Sequence, residues 1–192
     1  GRNVRVLYLS LMIPSRFNPD VFNMVKESLN AAIKKDFSIY CKNKENALNK
    51  SLANNETEPV SEYSSYAFGL FINGEVEKAK EMAEKGEEAY KRYLTRFNMF
   101  TPVYKGSYAV CLALLGRFDE AKELVEHMTD ECYCTGCSFR CCKDKYVYRT
   151  KIAIVEGKLD EAMKNIEEGM AADPSEETFI TYEAYCRSRG VK

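Results

Sequence analysis

The sequence lacks most of the features that mark enzymes and nucleic-acid-binding proteins. It has no tryptophan and a single histidine, His127, and its 28 basic residues nearly balance 29 acidic ones, for a net charge of −1. A charge so close to zero gives no global attraction to nucleic acid or to an anionic membrane. The chain has no glycine-rich phosphate loop, no histidine-based metalloprotease motif and no serine-centred nucleophile elbow. We therefore predict that the protein is not an enzyme and that His127 lies on a helix surface.

Long apolar runs are missing as well. No stretch approaches the roughly 20 apolar residues that a transmembrane helix needs. The opening residues 1–15, GRNVRVLYLSLMIPS, are apolar but have no clear small-residue cleavage site, so we expect no signal peptide. These absences predict a cytoplasmic protein that has no membrane partner and does not bind nucleic acid directly.

The chain does contain one sequence motif three times. It reads GEVEKAKEM from Gly74, GRFDEAKEL from Gly116 and GKLDEAMKN from Gly157. Each copy has an alanine five places after its glycine, and these alanines recur at spacings of 42 and 41 residues. A fixed period of this size is typical of a repeat array.

Each copy predicts a helix–turn–helix hairpin. An apolar stretch precedes each glycine, and glycine ends this first helix because a helix C-terminus often needs a left-handed residue. The second helix carries apolar residues at steps of three and four, the spacing of one buried stripe. In the third copy the stripe consists of Leu159, Ala162, Met163, Ile166 and Met170. The alanine is small where two helices must approach closely.

These hairpins resemble the tetratricopeptide repeat (TPR) family. The third copy is the most similar, with Gly157 at the turn, Ala162 in the second helix and Asp173-Pro174 closing the unit. Two features depart from the family: the period exceeds its usual length of about 34 residues, and its first-helix tryptophan is missing. The resemblance covers residues 60–190. It implies an all-α fold, a TPR-like right-handed solenoid of antiparallel helix pairs with a C-terminal capping helix.

We expect a single domain over residues 1–192. Its parts are a degenerate N-terminal helical unit at 1–52, a loop at 53–60, repeat units at 61–100, 101–142 and 143–174, and the capping helix at 175–192. Residues 4–13 fit a helix by alignment with the repeats, or a strand by the alternation of Val4, Val6 and Tyr8. A further helix is predicted from residue 18 to about 35. One face of this helix carries the apolar residues Val21, Met24, Val25, Leu29 and Ile33.

Five of the eight cysteines crowd into CYCTGCSFRCC, between the second and third units. A two-residue gap between thiolates, as in Cys134-Thr135-Gly136-Cys137, lets both bind one Zn²⁺. We predict a structural zinc site with four ligands and Cys142 as an alternate. The four predicted ligands are Cys132, Cys134, Cys137 and Cys141. Two disulfides with one free thiol are a second interpretation. The third interpretation is either a chance accumulation of reduced cysteines or an iron–sulfur cluster. Cys41, Cys111 and Cys186 lie outside the cluster and are expected to be buried.

The TPR resemblance implies a protein-interaction scaffold whose first helices line a concave groove. By position, that groove consists of Phe68, Phe71, Val110, Ala113, Val147, Lys151 and Ile154. It is apolar, so we expect it to bind a segment of a partner protein or to form a homodimer. The alternative at this surface is that these side chains pack against the N-terminal helices and no groove is open.

The sequence is also compatible with two alternative functions. The chain begins with Gly1 and not with methionine, so it could be the sensing domain of a bacterial transcriptional regulator whose DNA-binding part lies upstream. The dense cysteines could instead form a thiol-based redox sensor, because neighbouring thiols can be oxidised reversibly. A tightly bound metal would argue against the redox sensor.

Overall fold

A computed structural model describes residues 19–54, 58–97, 102–126, 143–172 and 178–191. The regular secondary structure of these ranges consists of helices joined by turns, with no strand, so the predicted all-α class is confirmed for them. The helices are α1 (Pro19–Ile33), α2 (Ser38–Asn54), α3 (Val60–Ile72), α4 (Val76–Phe97), α5 (Pro102–Leu114), α6 (Phe118–Glu126), α7 (Lys143–Glu156), α8 (Leu159–Ala172) and α9 (Thr178–Ser188). Residues 4–13 and the whole cysteine cluster lie outside the described ranges.

Three hairpins, α3–α4, α5–α6 and α7–α8, share one turn geometry. Gly74, Gly116 and Gly157 end the first helices with φ of 90°, 82° and 80°. After each glycine, the next backbone N–H donates to a carbonyl five residues back, as from Arg117 to Leu112 at 2.9 Å. This pattern is the Schellman motif, which satisfies carbonyls that the helix end leaves open. The prediction that Gly116 ends a helix in a left-handed conformation is confirmed.

A fourth hairpin, α1–α2, turns without glycine. Lys35 has a φ of 65°, and the N–H of Asp36 donates to the carbonyl of Ala31 at 3.0 Å, as in the other turns. The Asp36 carboxylate accepts hydrogen bonds from the hydroxyl and backbone N–H of Ser38, at 2.6 and 2.9 Å, where α2 begins. These bonds lower the pKa of Asp36. The side chain that follows Lys35 therefore supports a turn that the other hairpins obtain from glycine.

The apolar face predicted for α1 is only partly buried. Met24 and Ile33 are 40% and 39% exposed, whereas Leu29, Ala31 and Ala32 are buried. The physical reason is the identity of the neighbours, because α1 contacts both α2 and the last helix, α9. These two neighbours bury a different side of α1 from the one that a single apolar stripe predicts.

The hairpins pack in chain order. The first helices α3, α5 and α7 contact one another in succession, and each also contacts the helix that precedes it along the described chain. A single large core joins them, and it contains the fully buried Ala79, Ala121 and Ala162 of the second helices. Among the described residues, no helix is both long enough and apolar enough to cross a bilayer.

One part-buried carboxylate ties the first two repeats together. Glu87 of α4 lies 2.9 Å from the Arg117 guanidinium and 3.1 Å from the Lys91 ammonium. Burial alone would raise the pKa of Glu87, but the hydrogen bonds from Lys91 and Arg117 outweigh it and lower the pKa. Close by, the rings of Tyr90 and Tyr108 stack with centroids 4.3 Å apart.

Candidate functional site: the α3–α5–α7 face

The residues predicted to line a groove lie on three neighbouring helices. We call this surface the α3–α5–α7 face; it consists of Phe68 and Phe71 on α3, Val110 and Ala113 on α5, and Val147, Lys151 and Ile154 on α7. The fold brings the three helices side by side, because α5 contacts both α3 and α7.

Most of this face is covered. Phe68, Val110, Ala113, Lys151 and Ile154 are buried, each 5% exposed or less. Phe71 and Val147 are only partly buried and pack at the margin of the same core. Phe71 and Val147 are therefore the two positions of this face that are accessible from solvent.

The covering element at Phe68 is α9. The Tyr182 ring meets the Phe68 ring edge to face, with centroids 5.4 Å apart and an interplanar angle of 80°. Tyr182 also meets Phe179 one turn earlier, with centroids 6.4 Å apart. Both α9 side chains are fully buried. Edge-to-face aromatic pairs are worth about 0.5–1.5 kcal/mol beyond the area that they bury.

A buried lysine also contacts Phe68. The Lys151 ammonium is 5.4 Å from the centre of the Phe68 ring and 5.8 Å from the centre of the Tyr148 ring. Aromatic faces attract cations at these distances, most strongly where water is excluded. The α3–α5–α7 face therefore combines apolar side chains with the basic side chain of Lys151.

Two other polar groups on helices α5 and α7 are also buried. The Thr150 hydroxyl is fully buried and has no hydrogen-bond partner among the described residues. The Cys111 thiol is also fully buried, and burial raises its pKa to about 12. A thiol with such a pKa stays protonated and unreactive at neutral pH.

The last helix also meets the first hairpin. The Tyr185 ring lies against the ring of Phe37, with centroids 5.5 Å apart and an interplanar angle of 69°. We call this contact the junction. The Arg189 guanidinium lies 5.3 Å from the centre of the Tyr185 ring. A cleft of about 340 Å³ remains beside the junction. It is lined by Lys35, Asp36, Phe37, Ile72, Asn73, Gly74, Tyr185, Ser188 and Arg189.

The predicted zinc ligands, Cys132, Cys134, Cys137 and Cys141, and the alternate Cys142, lie outside the described residues. Within those residues no group of three or more histidine, cysteine, aspartate or glutamate side chains could hold a metal ion. The zinc site stays a prediction. The expected burial of Cys41, Cys111 and Cys186 is confirmed, and all three are free thiols.

Two residues of the site were not predicted from the sequence. Tyr182 and Tyr185 belong to the expected capping helix, but nothing in their local pattern shows that they contact Phe68 and Phe37. The available signal is the spacing of the aromatic residues Phe179, Tyr182 and Tyr185, which places three rings at steps of three along one helix.

Comparisons of the chain with protein-family models, with curated proteins and with solved structures find no match. The functional argument therefore depends on the geometry of the α3–α5–α7 face.

Proposed function

We propose that the protein is a non-enzymatic interaction scaffold that binds a helical segment of a partner protein on its α3–α5–α7 face. The finer architecture proposed with this function is a TPR-like right-handed solenoid. Three hairpins with the same glycine turn and the same buried alanine support that arrangement.

One observation carries the proposal: this face already holds an aromatic helix, since Tyr182 of α9 rests on Phe68. A surface that packs against one helix through aromatic side chains is suited to bind another, and helix-in-groove binding is a common recognition mode. Phe71 and Val147 extend the apolar surface toward solvent, where a partner would make first contact.

We further propose a cytoplasmic location. The buried thiols of Cys41, Cys111 and Cys186 are unpaired, which is ordinary for a protein in a reducing compartment. The partly exposed residues of the face are also consistent with a second copy of the chain as the partner, which a measurement of molar mass would reveal.

The test compares two lysine substitutions in the full chain. Phe71→Lys places a charge at the edge of the face, whereas the control Val76→Lys places the same charge at a position on α4 that is already 41% exposed. After chemical cross-linking in its native cells, the wild type and Val76→Lys should retain the same partner protein, and Phe71→Lys should lose it. Light scattering after size exclusion would show whether that partner is a second copy.

Circular dichroism would first establish that both variants are folded. Equal recovery of partners by the two variants, with a monomeric wild type, would contradict the proposal.

A further inference from the structure

α9 ends in the same way as the first helices of the three glycine-turn hairpins. Gly190 has a φ of 101°, and the N–H of Val191 donates to the carbonyl of Cys186, five residues back, at 3.3 Å. α9 also contacts α7 and α8, as α5 contacts α3 and α4. By position, the contact between α8 and α9 is therefore equivalent to the inter-repeat contacts α4–α5 and α6–α7.

Ion pairs link the second helices α4 and α6 to the hairpin that follows each of them. In α6, Lys122 lies six residues after the turn glycine, and its ammonium is 2.5 Å from the carboxylate of Glu156 at the end of α7. In α4, Glu87 lies thirteen residues after the turn glycine, and its carboxylate is 2.9 Å from the guanidinium of Arg117. These two positions on a second helix therefore face the next repeat.

At both of these positions α8 carries methionine. Met163 and Met170 lie six and thirteen residues after Gly157, and both side chains are partly exposed. They line a cleft of about 460 Å³ between α8 and α9, whose other lining residues are Ile166, Glu167, Ala171, Glu183 and Arg187. Methionine is flexible and polarizable, and it is common at surfaces that adapt to a binding partner. The surface that faces the next repeat is therefore apolar on α8, where the earlier second helices carry charges.

The charged residues of this cleft lie on both of its helices. Glu167 of α8 is exposed and forms no ion pair with another described residue, whereas the equivalent Glu126 of α6 lies 2.8 Å from Arg149 of α7. Arg187 lies on α9, where its guanidinium is 2.8 Å from the carboxylate of Glu183. A patch that has an acidic residue on one helix and a basic residue on the other is complementary to itself after a two-fold rotation.

From these features we propose that α8 and α9 form a dimerisation surface, and that its occupant is a second copy of the chain. Two-fold symmetry places α8 antiparallel to α8 of the other copy, so that Met163 packs against the partner's Met170. Glu167 then forms an ion pair with the partner's Arg187. This surface shares no residue with the α3–α5–α7 face, so the inference does not depend on the proposed function.

The molar mass of the wild-type chain in solution is the first test, and it needs no variant. Light scattering after size exclusion should give twice the mass of one chain. A wild type that is monomeric across the micromolar concentration range would overturn the inference.

Opposite charges at the two methionines give a sharper test. One variant carries Met163→Glu with Met170→Glu, and the other carries Met163→Lys with Met170→Lys. Each should be monomeric alone, because like charges then meet across the two-fold axis. An equimolar mixture should form a mixed dimer at least about tenfold more tightly than either variant forms a dimer with itself. If circular dichroism shows that both variants are folded and the mixture stays monomeric, the pairing through α8 is overturned.

Two further variants show which surface holds the dimer. Leu52→Lys is the matched control, because this apolar residue of α2 is 46% exposed and its substitution should leave the dimer intact. A dimer that is lost in Phe71→Lys but kept in both methionine variants would lie on the α3–α5–α7 face, and the inference would be overturned. A dimer that is lost only in the methionine variants supports the inference, even if partner capture does not depend on Phe71 and the proposed function fails.

Discussion

The ring of Tyr182 lies edge to face against the ring of Phe68, with the centroids 5.4 Å apart. This pair joins the last helix of the described chain to the first glycine-turn hairpin. The Lys151 ammonium also lies over the Phe68 ring, 5.4 Å from its centre. The proposed function of this protein follows from the fact that α9 occupies a face predicted to receive a partner.

The left-handed turns give a prediction about stability. Gly116→Val should lower the free energy of unfolding by roughly 1–2 kcal/mol, because φ is 82° and a β-branched residue is strained there. A Cβ at Gly116 would meet no atom within 4 Å, so the cost arises from the backbone and not from a clash. Gly116→Asn, which tolerates this conformation better, serves as the control. Denaturant unfolding in which valine and asparagine behave alike would show that strain is not the cause.

The ion pairs of Glu87 predict a dependence on pH. Because the pKa of Glu87 is lowered in the folded protein, its contribution is present above the unfolded pKa of about 4.3 and is lost as pH falls through the folded value. Glu87→Gln should destabilise the protein by about 1–2 kcal/mol at pH 7. The difference from wild type should shrink progressively once the pH drops below about 5.

The matched control is Glu77→Gln on the same helix, where the carboxylate side chain is 87% exposed and surface pairs contribute little. Urea unfolding at several pH values measures both variants. A Glu87→Gln effect that persists unchanged at pH 3, or that equals the Glu77→Gln effect at pH 7, would contradict this assignment.

Burial of three thiols predicts the outcome of a thiol titration. Burial raises the pKa of Cys41 and Cys186 to about 11 and that of Cys111 to about 12, so all three stay protonated and shielded at pH 7.5. Under reducing-then-desalted conditions, a chromogenic disulfide reagent should react quickly with no more than five of the eight cysteines of the native chain. In denaturant all eight should react. Rapid labelling of Cys111 in the native protein, read by mass spectrometry, would contradict the packing of α5.

The cysteine cluster predicts one structural Zn²⁺ per chain. Metal analysis of protein purified without added zinc should find it, and Cys137→Ser should lose it while Cys142→Ser keeps it. Thiolate is the binding form, so the zinc should dissociate as pH falls. Zinc absent from reduced wild-type protein would refute the site, and zinc lost from Cys142→Ser but kept in Cys137→Ser would change the ligand set.

Local features of the sequence predicted the hairpins well. Gly74, Gly116 and Gly157 mark their turns because a left-handed helix end favours glycine so strongly that the residue itself carries the signal. The helix before Lys35 was predicted to end at about residue 35, close to its observed end at Ile33. The left-handed conformation of Lys35 was not predicted, since a lysine gives no signal for it, and the hydrogen bonds that Asp36 accepts became evident only in three dimensions.

The periodicity of the apolar residues does not predict which side of each helix is covered by other helices. The residues of α3 and α7 show apolar patterns that fit either an open groove or a covered one. The difference depends on where α9 packs, and that is set by ring contacts such as Phe37–Tyr185 between distant parts of the chain. The apolar pattern of these helices therefore does not indicate that most of the predicted groove residues are buried.

The contact between Phe68 and Tyr182 is tested most directly by a double-mutant cycle. Unfolding free energies are measured for the wild type, Phe68→Leu, Tyr182→Leu and the double variant, with Phe68→Leu and Tyr93→Leu as a control cycle, because Tyr93 belongs to a separate cluster. We predict a coupling energy of about 0.5–1.5 kcal/mol for Phe68 with Tyr182 and none beyond error for the control. A coupling of zero for Phe68 with Tyr182 would contradict the placement of α9 on the α3–α5–α7 face.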